Sequence, residues 1–593
     1  MRTANTARRR VLLAFAGLVA ATVPAPPAGA AEQPRNGLIA FSAARAGDRV
    51  LYTRGPDGRG LKLLATGGRS DHPAFSPRGR RLAFTKYGPL GAQIFVSYLD
   101  GTGYRQLTSG PSDTMAAWSP SGAELIFVRS VLGQRDLYRI GADGTGLIML
   151  TSSRRNDELP SWSITDQVAF VRRSGGSQDI YAMSARGGAA RRLTRSRQPD
   201  LAPAWSPTGK TVVFTRGRPG RRDLYVIRAD GRGARRLTRV AGDETDATWS
   251  PDGSRIAFTH TRNGARRLYL MKAKGKPVDR LVARSLRVRR LTSGRAAARA
   301  PSWQPTGLAP VVAAAGDIAC DPASPYFNGG LGVPGLCRQK LTSDLLLRSD
   351  LSSILVPGDL QYEDGKLAAF QASFDPTWGR LKPLIRPVPG NHEYHDRDAA
   401  GYFDYFNGPG VRSGQAGDRA TGYYSFNVGD WHVIALNSEC ESVGGCEEGS
   451  PQVRWLRADL AANPRACTLA FFHGPRFTSG RYGEQAERVR PFWTALYEAN
   501  ADLVLSGHEH FYERFGPQTP DGVADPARGI RQLTVGMGGK SRHGFVAIAP
   551  NSEMRDNGTL GVAELTLHPG AYDWRLVRAP TGGVADSGSG RCH

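Results

Sequence analysis

A phenylalanine recurs through the first half of this 593-residue chain, at Phe41, Phe84, Phe127, Phe170, Phe214 and Phe258, at intervals of 43, 43, 43, 44 and 44 residues. A unit of that length cannot bury a core by itself, so neighbouring copies must stack, and a period near 43 is that of a propeller blade. Two more series run in phase with it. Tyr52, Phe95, Tyr138, Tyr181, Tyr225 and Tyr269 sit in short runs such as DLYRI and DIYAM, which read as strands. Phe75, Trp118, Trp162, Trp205, Trp249 and Trp303 open turns of the WSPDG kind, where Pro and Gly supply the dihedrals of a tight reversal. These aromatics are assigned to blade cores rather than to ligand contacts. The phase predicts closure as well. The repeat region begins on GLIAF, a strand that should follow such a turn, and ends on PSWQPTG with no strand after it. Trp303 and Phe41 are therefore expected to share the last blade, closing an all-β ring of six blades over residues 37–307 with no open edge.

The repeats, notably PAWSPTGKTVVFTRGRPGRRDLYVIRADGRGARRL from Pro203 to Leu237, resemble TolB-like (WD40-like, PD40) six-bladed propeller repeats. That resemblance implies a fold and says little about a role. The length exceeds what one core supports, so a second domain is expected over residues 308–593. Charge is divided between the two: residues 311–593 hold 26 Lys and Arg against 32 Asp and Glu, and the remainder holds 52 against 21. The basic propeller could meet a protein partner or an anionic envelope polymer, and export argues against nucleic acid.

Residues 1–30 read as an export signal. Arg2 and Arg8–Arg10 are basic, Val11–Val23 is apolar, and Ala28–Ala30 offers small cleavage residues, with the mature chain starting near Ala31. The apolar run is shorter than the roughly 20 residues a spanning helix needs, so no transmembrane span is expected. The general secretory route is expected, with RRRVLL leaving the twin-arginine route open. A secreted or cell-envelope protein follows. All six cysteines lie in the second half and none is in CxxC spacing, so disulfides are expected rather than zinc. Six cysteines allow 15 pairings, which the sequence leaves open; proximity and parity suggest Cys320 with Cys337, Cys440 with Cys446 and Cys467 with Cys592.

After QPTGLAP the grammar changes to apolar strands alternating with helical patterns such as SPQVRWLRADLAA and RVRPFWTALYEAN, which predicts an α/β layered domain. Nine of the eleven histidines lie here. Polar residues stop the strands at recurring places: Asp317, then Asp359 and Tyr362, then Asn391 and His392, then His473, then His508 and His510. In α/β sheets such strand ends converge. Carboxylate, phenol, amide and imidazole together suit iron, zinc or manganese, and seven ligands fit two ions sharing a carboxylate.

The order GD, GDxxY, GNHE, H and GHxHxYER resembles the calcineurin-like metallophosphoesterase superfamily and, within it, the purple acid phosphatases. The stretches GYYSFNVGDWHVIALNSE and DLVLSGHEHFYER carry the likeness over about residues 311–580. That likeness implies a β-sandwich flanked by helices. Asp317, Asp359, Tyr362 and His510 would hold one ion, usually Fe(III), and Asp359, Asn391, His473 and His508 a divalent Zn, Fe or Mn. Ala319 stands where most of the superfamily has a ligand histidine, and Tyr362 replaces it as in the purple acid phosphatases. GDIAC departs from the family's GDxG and is followed by an insertion holding Cys320 and Cys337. The reading of His-x-His is that an extended segment points its two imidazoles at different ions. The implied activity is hydrolysis of phosphomonoesters by metal-activated water, with His392 binding phosphate and protonating the leaving group. His395 and His543 are weaker candidates for the pocket rim, and Glu513 with Arg514 are expected to form an ion pair behind the site. Two rival readings are a phosphodiesterase or nucleotidase on the same centre, and a propeller-based binding protein with a non-catalytic scaffold.

Overall fold

The computed structural model describes residues 33–274, 288–292 and 297–593, so the export signal assigned to residues 1–30 lies outside the described residues. Through residue 306 every described element is a β-strand, and strands follow one another as antiparallel meanders. One of them runs Asp113–Trp118, Glu124–Val131, Gln134–Gly141 and then the two-residue edge Ile148–Met149. Four such four-stranded sheets stand apart. The expectation of six separate blades is corrected here, because the meanders starting at Asp200 and Gly242 share one larger sheet. Arg221 and Arg222 pair in parallel with Gly242 and Asp243. The Asp243 carboxylate holds that seam by accepting from the N–H groups of Gly220 at 2.7 Å and Arg222 at 3.1 Å.

The two ends of the repeat region meet. Strand Arg35–Arg45 pairs antiparallel with Arg299–Thr306, with Ile39 opposite Trp303. Apolar clusters join each meander to the next: Phe84 with Ala40 and Leu51, Phe127 with Ala83, Phe170 with Ile126, Phe214 with Ala169, and Phe258 with Val213. The last such cluster places Phe41 against Leu268 and Leu270, returning to the start. Each phenylalanine lies about a ring's width from its in-phase aromatic, as in Phe127 and Tyr138 at 6.1 Å. Buried carboxylates in three of the meanders are matched by guanidiniums held across two parallel bonds: Asp113 by Arg129, Asp157 by Arg172 and Asp200 by Arg216, all at 2.7–2.9 Å. Each of these arginines also covers its Phe and Tyr rings.

The second region is two sheets face to face with helices outside. Ile385–Val388, Ser353–Pro357 and Val311–Ala314 run parallel in one sheet, extended by antiparallel strands from Gly561 to Arg591. Trp431–Ala435, Cys467–Phe471, Leu503–Ser506 and Arg531–Val535 run parallel in the other. Strand alternation sorts the side chains by layer. Val312 and Ala314 join Leu469, Phe471, Leu503 and Leu505 between the sheets. Val311 and Ala313 face helices Gln339–Leu347 and Ala400–Asn407, while Ala470 and Val504 face Pro451–Ala462 and Arg490–Glu498. The first of that last pair of helices starts with Pro451 at its first turn and Ser450 accepting from the Val453 N–H, the start signal expected of SPQV. Three disulfides join Cys320 to Cys337, Cys440 to Cys446 and Cys467 to Cys592, as the pairing by proximity and parity proposed.

The two regions touch through the carboxyl end of helix Gln339–Leu347. Arg81 donates to the Leu347 carbonyl and to Gly122, Arg348 donates to Asp143, and Asp350 accepts from the Arg78 N–H.

Candidate metal centre

Five parallel strands end within reach of one another and each delivers polar side chains. Close approach of these ends needs glycine. A Cβ on Gly358, whose φ is +79°, would meet the His473 ring at 2.4 Å, and one on Gly390 would meet the Asp359 carboxylate at 2.3 Å. Asp317, Asp359 and His508 themselves have φ of 59°, 51° and 69°, so three of the site residues carry backbone strain in the left-handed region.

The seven predicted ligands come together as two groups meeting at Asp359. The Tyr362 hydroxyl lies 2.9 Å from Asp317 Oδ1, 2.8 Å from Asp359 Oδ2 and 3.0 Å from His510 Nε2. On the other side His473 Nε2 lies 3.4 Å from Asp359 Oδ1, 3.0 Å from Asn391 Oδ1 and 3.1 Å from His508 Nδ1. The two oxygens of Asp359 thus face different groups. Atoms of Asp317, Asp359 and His473 lie within 4.8 Å of one another, a spacing that can hold a metal ion.

The donor chemistry fits cations. Asp317 and Asp359 are 0 % and 2 % exposed, yet among the described residues no lysine or arginine pairs with either; their partners are Tyr362, backbone N–H groups and imidazoles. His473 Nδ1 faces the Pro357 carbonyl at 2.9 Å and donates to it, which turns Nε2 toward the Asp359 and Asn391 oxygens. Such an array of acceptors is stable only around positive charge. Burial alone would make the His473 imidazolium harder to form, but Asp359 and Asp317 outweigh it and raise the pKa to about 10. Burial likewise pushes Asp359 upward, and His473 and His392 overcome that to hold its carboxyl well below the ordinary range. Burial and the two carboxylates push the Tyr362 phenol well up.

Two expectations about this region are corrected. The His-x-His segment is not extended: residues 508–511 form a bend between strands Leu503–Ser506 and Tyr512–Phe515. The imidazoles still diverge, because the left-handed backbone at His508 turns its ring toward His473 while His510 faces Tyr362. Nor do Glu513 and Arg514 pair with each other, since adjacent strand residues point to opposite faces. Glu513 accepts from Ser479 and Ser552, and Arg514 reaches Asp586 at 2.8 Å.

His392 lies beside the ligand groups, its ring 4.1 Å from the Tyr362 ring and its Nε2 3.9 Å from Asp359 Oδ2. Its Nδ1 is 2.6 Å from the Glu363 carbonyl, which His395 Nδ1 also approaches at 2.9 Å. His543 stacks on His510 at 3.8 Å and accepts from the His510 N–H, so it buttresses a ligand candidate. Other contributors escaped the sequence reading. Glu393 is fully buried and accepts from four backbone N–H groups, those of Asp359, Leu360, Gln361 and Gly390, which clamps two of the converging loops. Its place inside GNHE was the available signal. Ser541 lies 2.5 Å from His510 Nδ1, and the Lys540 ammonium lies 4.5 Å over the Tyr362 ring. Neither had a signal beyond its place in GMGGKSRHG.

Parts of the chain are similar to known proteins. The model of the TolB beta propeller domain matches residues 70–201 and 197–307, and that of the calcineurin-like phosphoesterases matches residues 339–512. Purple acid phosphatase 21 of Arabidopsis thaliana is 31 % identical over 238 residues, 36 % of this chain and 51 % of that one. Purple acid phosphatase 18 of the same plant is 31 % identical over 224 residues, 36 % of this chain and 48 % of that one. The chain thus spans about half the length of these relatives. Among solved structures, a purple acid phosphatase from yellow lupin seeds aligns at 15 % identity and a TM-score of 0.39, covering 84 % of each chain. TolB from Acinetobacter baumannii aligns at 19 % identity and a TM-score of 0.39, covering 46 % of this chain and 67 % of that one. The chain carries a match to the TolB beta propeller domain followed by one to the calcineurin-like phosphoesterases, and the second region is similar to purple acid phosphatases.

Proposed function

We propose that the second domain, residues 308–593, is a two-metal phosphoesterase that hydrolyses phosphomonoesters. The observation that carries this reading is Asp359, whose oxygens face two ligand groups, 2.8 Å from Tyr362 on one side and 3.4 Å from His473 on the other. Asp317, Asp359, Tyr362 and His510 would hold one ion, and Asp359, Asn391, His473 and His508 the second, with Fe(III) and a divalent Zn, Fe or Mn suiting these donors. Bound there, two ions would offset the charge of the phosphoryl oxygens and activate water.

The chain's own residues do the rest. Glu393 fixes the Asp359 and Gly390 loops through four N–H groups, so the bridging carboxylate is placed before substrate arrives. His473 and His510 are each held at Nδ1, by Pro357 and Ser541, which aims Nε2 inward. His392 has Nδ1 anchored on Glu363 and Nε2 open toward the site, the arrangement of a group that binds phosphate and passes a proton to the leaving oxygen. His395 and His543 flank that opening.

We further read residues 37–307 as one closed propeller domain, supported by the apolar clusters that lead from each meander to the next and back. Its excess of positive charge suits a protein or an anionic envelope polymer. Three disulfides support a secreted or envelope location. The test is elemental analysis of the purified protein together with a panel of nitrophenyl phosphate, its bis ester and nucleotides. Two metal equivalents with turnover of the monoester are expected. Faster turnover of the bis ester or of nucleotides would move the assignment to the phosphodiesterase or nucleotidase reading, and absence of metal would revive the binding-protein reading.

A further inference from the structure

Where the propeller meets the phosphoesterase domain there is a cavity of about 470 Å³, walled by Arg78, Arg80 and Tyr98 from the propeller side and by Leu308, Leu351 and Leu384 from beyond it. Its charges do not balance. Asp350, beside it, is committed to the Arg78 N–H at 2.9 Å and lies 3.6 Å from Arg81, whose guanidinium is already spent on the Leu347 and Gly122 carbonyls. Asp100, at the exposed edge, accepts from the N–H and hydroxyl of Thr102. Arg80 is left over. Its guanidinium has no hydrogen bond or ion pair among the described residues and its Nε is buried; burial disfavours its charge, and nearby Asp350 offsets that only in part. The Tyr98 hydroxyl beside it also lacks a partner among the described residues. A guanidinium partly withdrawn from water with no hydrogen-bonded acceptor is costly, and an oxyanion at this cavity would supply one.

We propose that this junction is a binding site for a small organic oxyanion, its phosphate or carboxylate head on Arg80 and Tyr98 and its apolar body against Leu308, Leu351 and Leu384. The planar fork of Arg80 and the Tyr98 hydroxyl are donors lining the same cavity, which suits an acceptor carrying several oxygens. The site is separate from the metal centre: its residues belong to neither ligand group. A ligand seated there would touch both domains at once and so bias their relative placement.

The test is equilibrium dialysis of the full chain with phenylphosphonate and, separately, with benzoate, alongside turnover of a phosphate ester. The structure leads us to expect that Arg80→Ala removes one equivalent of bound probe or weakens it at least tenfold, that Arg80→Lys recovers part of the loss, and that turnover is unchanged. The tighter probe names the head group. Tyr98→Phe, which keeps the ring, should weaken the same equivalent by a few fold and decides the matter if Arg80→Ala does not fold. Binding unaltered by both substitutions, or no binding of either probe beyond what the metal centre takes, would overturn the site. Loss of turnover throughout with the Arg80-dependent equivalent intact would instead count against the phosphoesterase reading alone.

Discussion

Both halves of the molecule bury carboxylates, and they answer the cost in opposite ways. In the propeller, Asp113, Asp157 and Asp200 are 0 % exposed and each is matched by its own guanidinium through two bonds. In the phosphoesterase domain Asp317 and Asp359 are buried as deeply and are given a phenol, imidazoles and backbone N–H groups. The first arrangement is complete within the chain. The second gathers ligand-type donors around a point where a cation could be held. Burial of a charge therefore does not by itself mark a function; the identity of the partner does.

The strongest way to break this contrast is to remove the shared carboxylate. Asp359→Asn should cut phosphate-ester turnover roughly a thousandfold or more, since a two-metal centre contributes several kcal/mol to the barrier. Metal content measured on the same sample should fall while the propeller melts as before; near-normal turnover would end the assignment. Next in size is the propeller counterpart. Arg172→Ala leaves Asp157 buried without a counter-charge and should destabilise that domain by about 3–5 kcal/mol. Turnover per folded molecule should not change, and the double change Arg172→Leu with Asp157→Leu should recover most of the loss in a denaturant melt. If the single variant melts like the parent, the matched pairs are ornament rather than support.

A smaller effect sharpens the metal side. Protein reconstituted with iron, and shown to contain it, should absorb broadly in the visible through charge transfer from the Tyr362 phenolate. Tyr362→Phe should bleach the band while Asp317, Asp359 and His510 keep some iron bound. A band that survives the substitution makes Tyr362 a packing residue. The smallest effect lies between the two extremes, at Asp502. Its partner is the imidazole of His593, 3.2 Å away, and that hydrogen bond raises the His593 pKa above its ordinary value. A raised folded-state pKa stabilises below the unfolded value, near 6.5, and the contribution is lost as pH rises through the folded one. Thermal melts from pH 5.5 to 9 should show a small decline that His593→Gln abolishes.

Much of this was legible in the sequence because side-chain chemistry and period carried it. The Phe41 to Phe258 series located every meander, and the phase of GLIAF against Trp303 placed both in one sheet. All seven ligand candidates converge. What could not be read was written in the backbone or in pairings far apart in sequence. His72, Met115, Leu159, Ala202 and Asp246 adopt left-handed conformations in the first strands of their meanders, and none is the glycine that would announce it. The joined sheet rests on the Asp243 carboxylate reaching back to Gly220, a contact no periodicity contains. The bend at His508 was hidden for the same reason, and Glu393 because its partners are backbone N–H groups, which every residue but proline offers.

The pairing of Arg35–Arg45 with Arg299–Thr306 also sets a timetable. The Leu38 N–H finds the Gln304 side chain 266 residues later, so the ring cannot seal until the last repeat has left the ribosome. At roughly 5–20 residues per second that delay is about 15–50 s, during which the first strand's hydrogen-bonding edge has no partner of its own. The polypeptide that waits is rich in arginine and carries net positive charge, which keeps sibling chains apart.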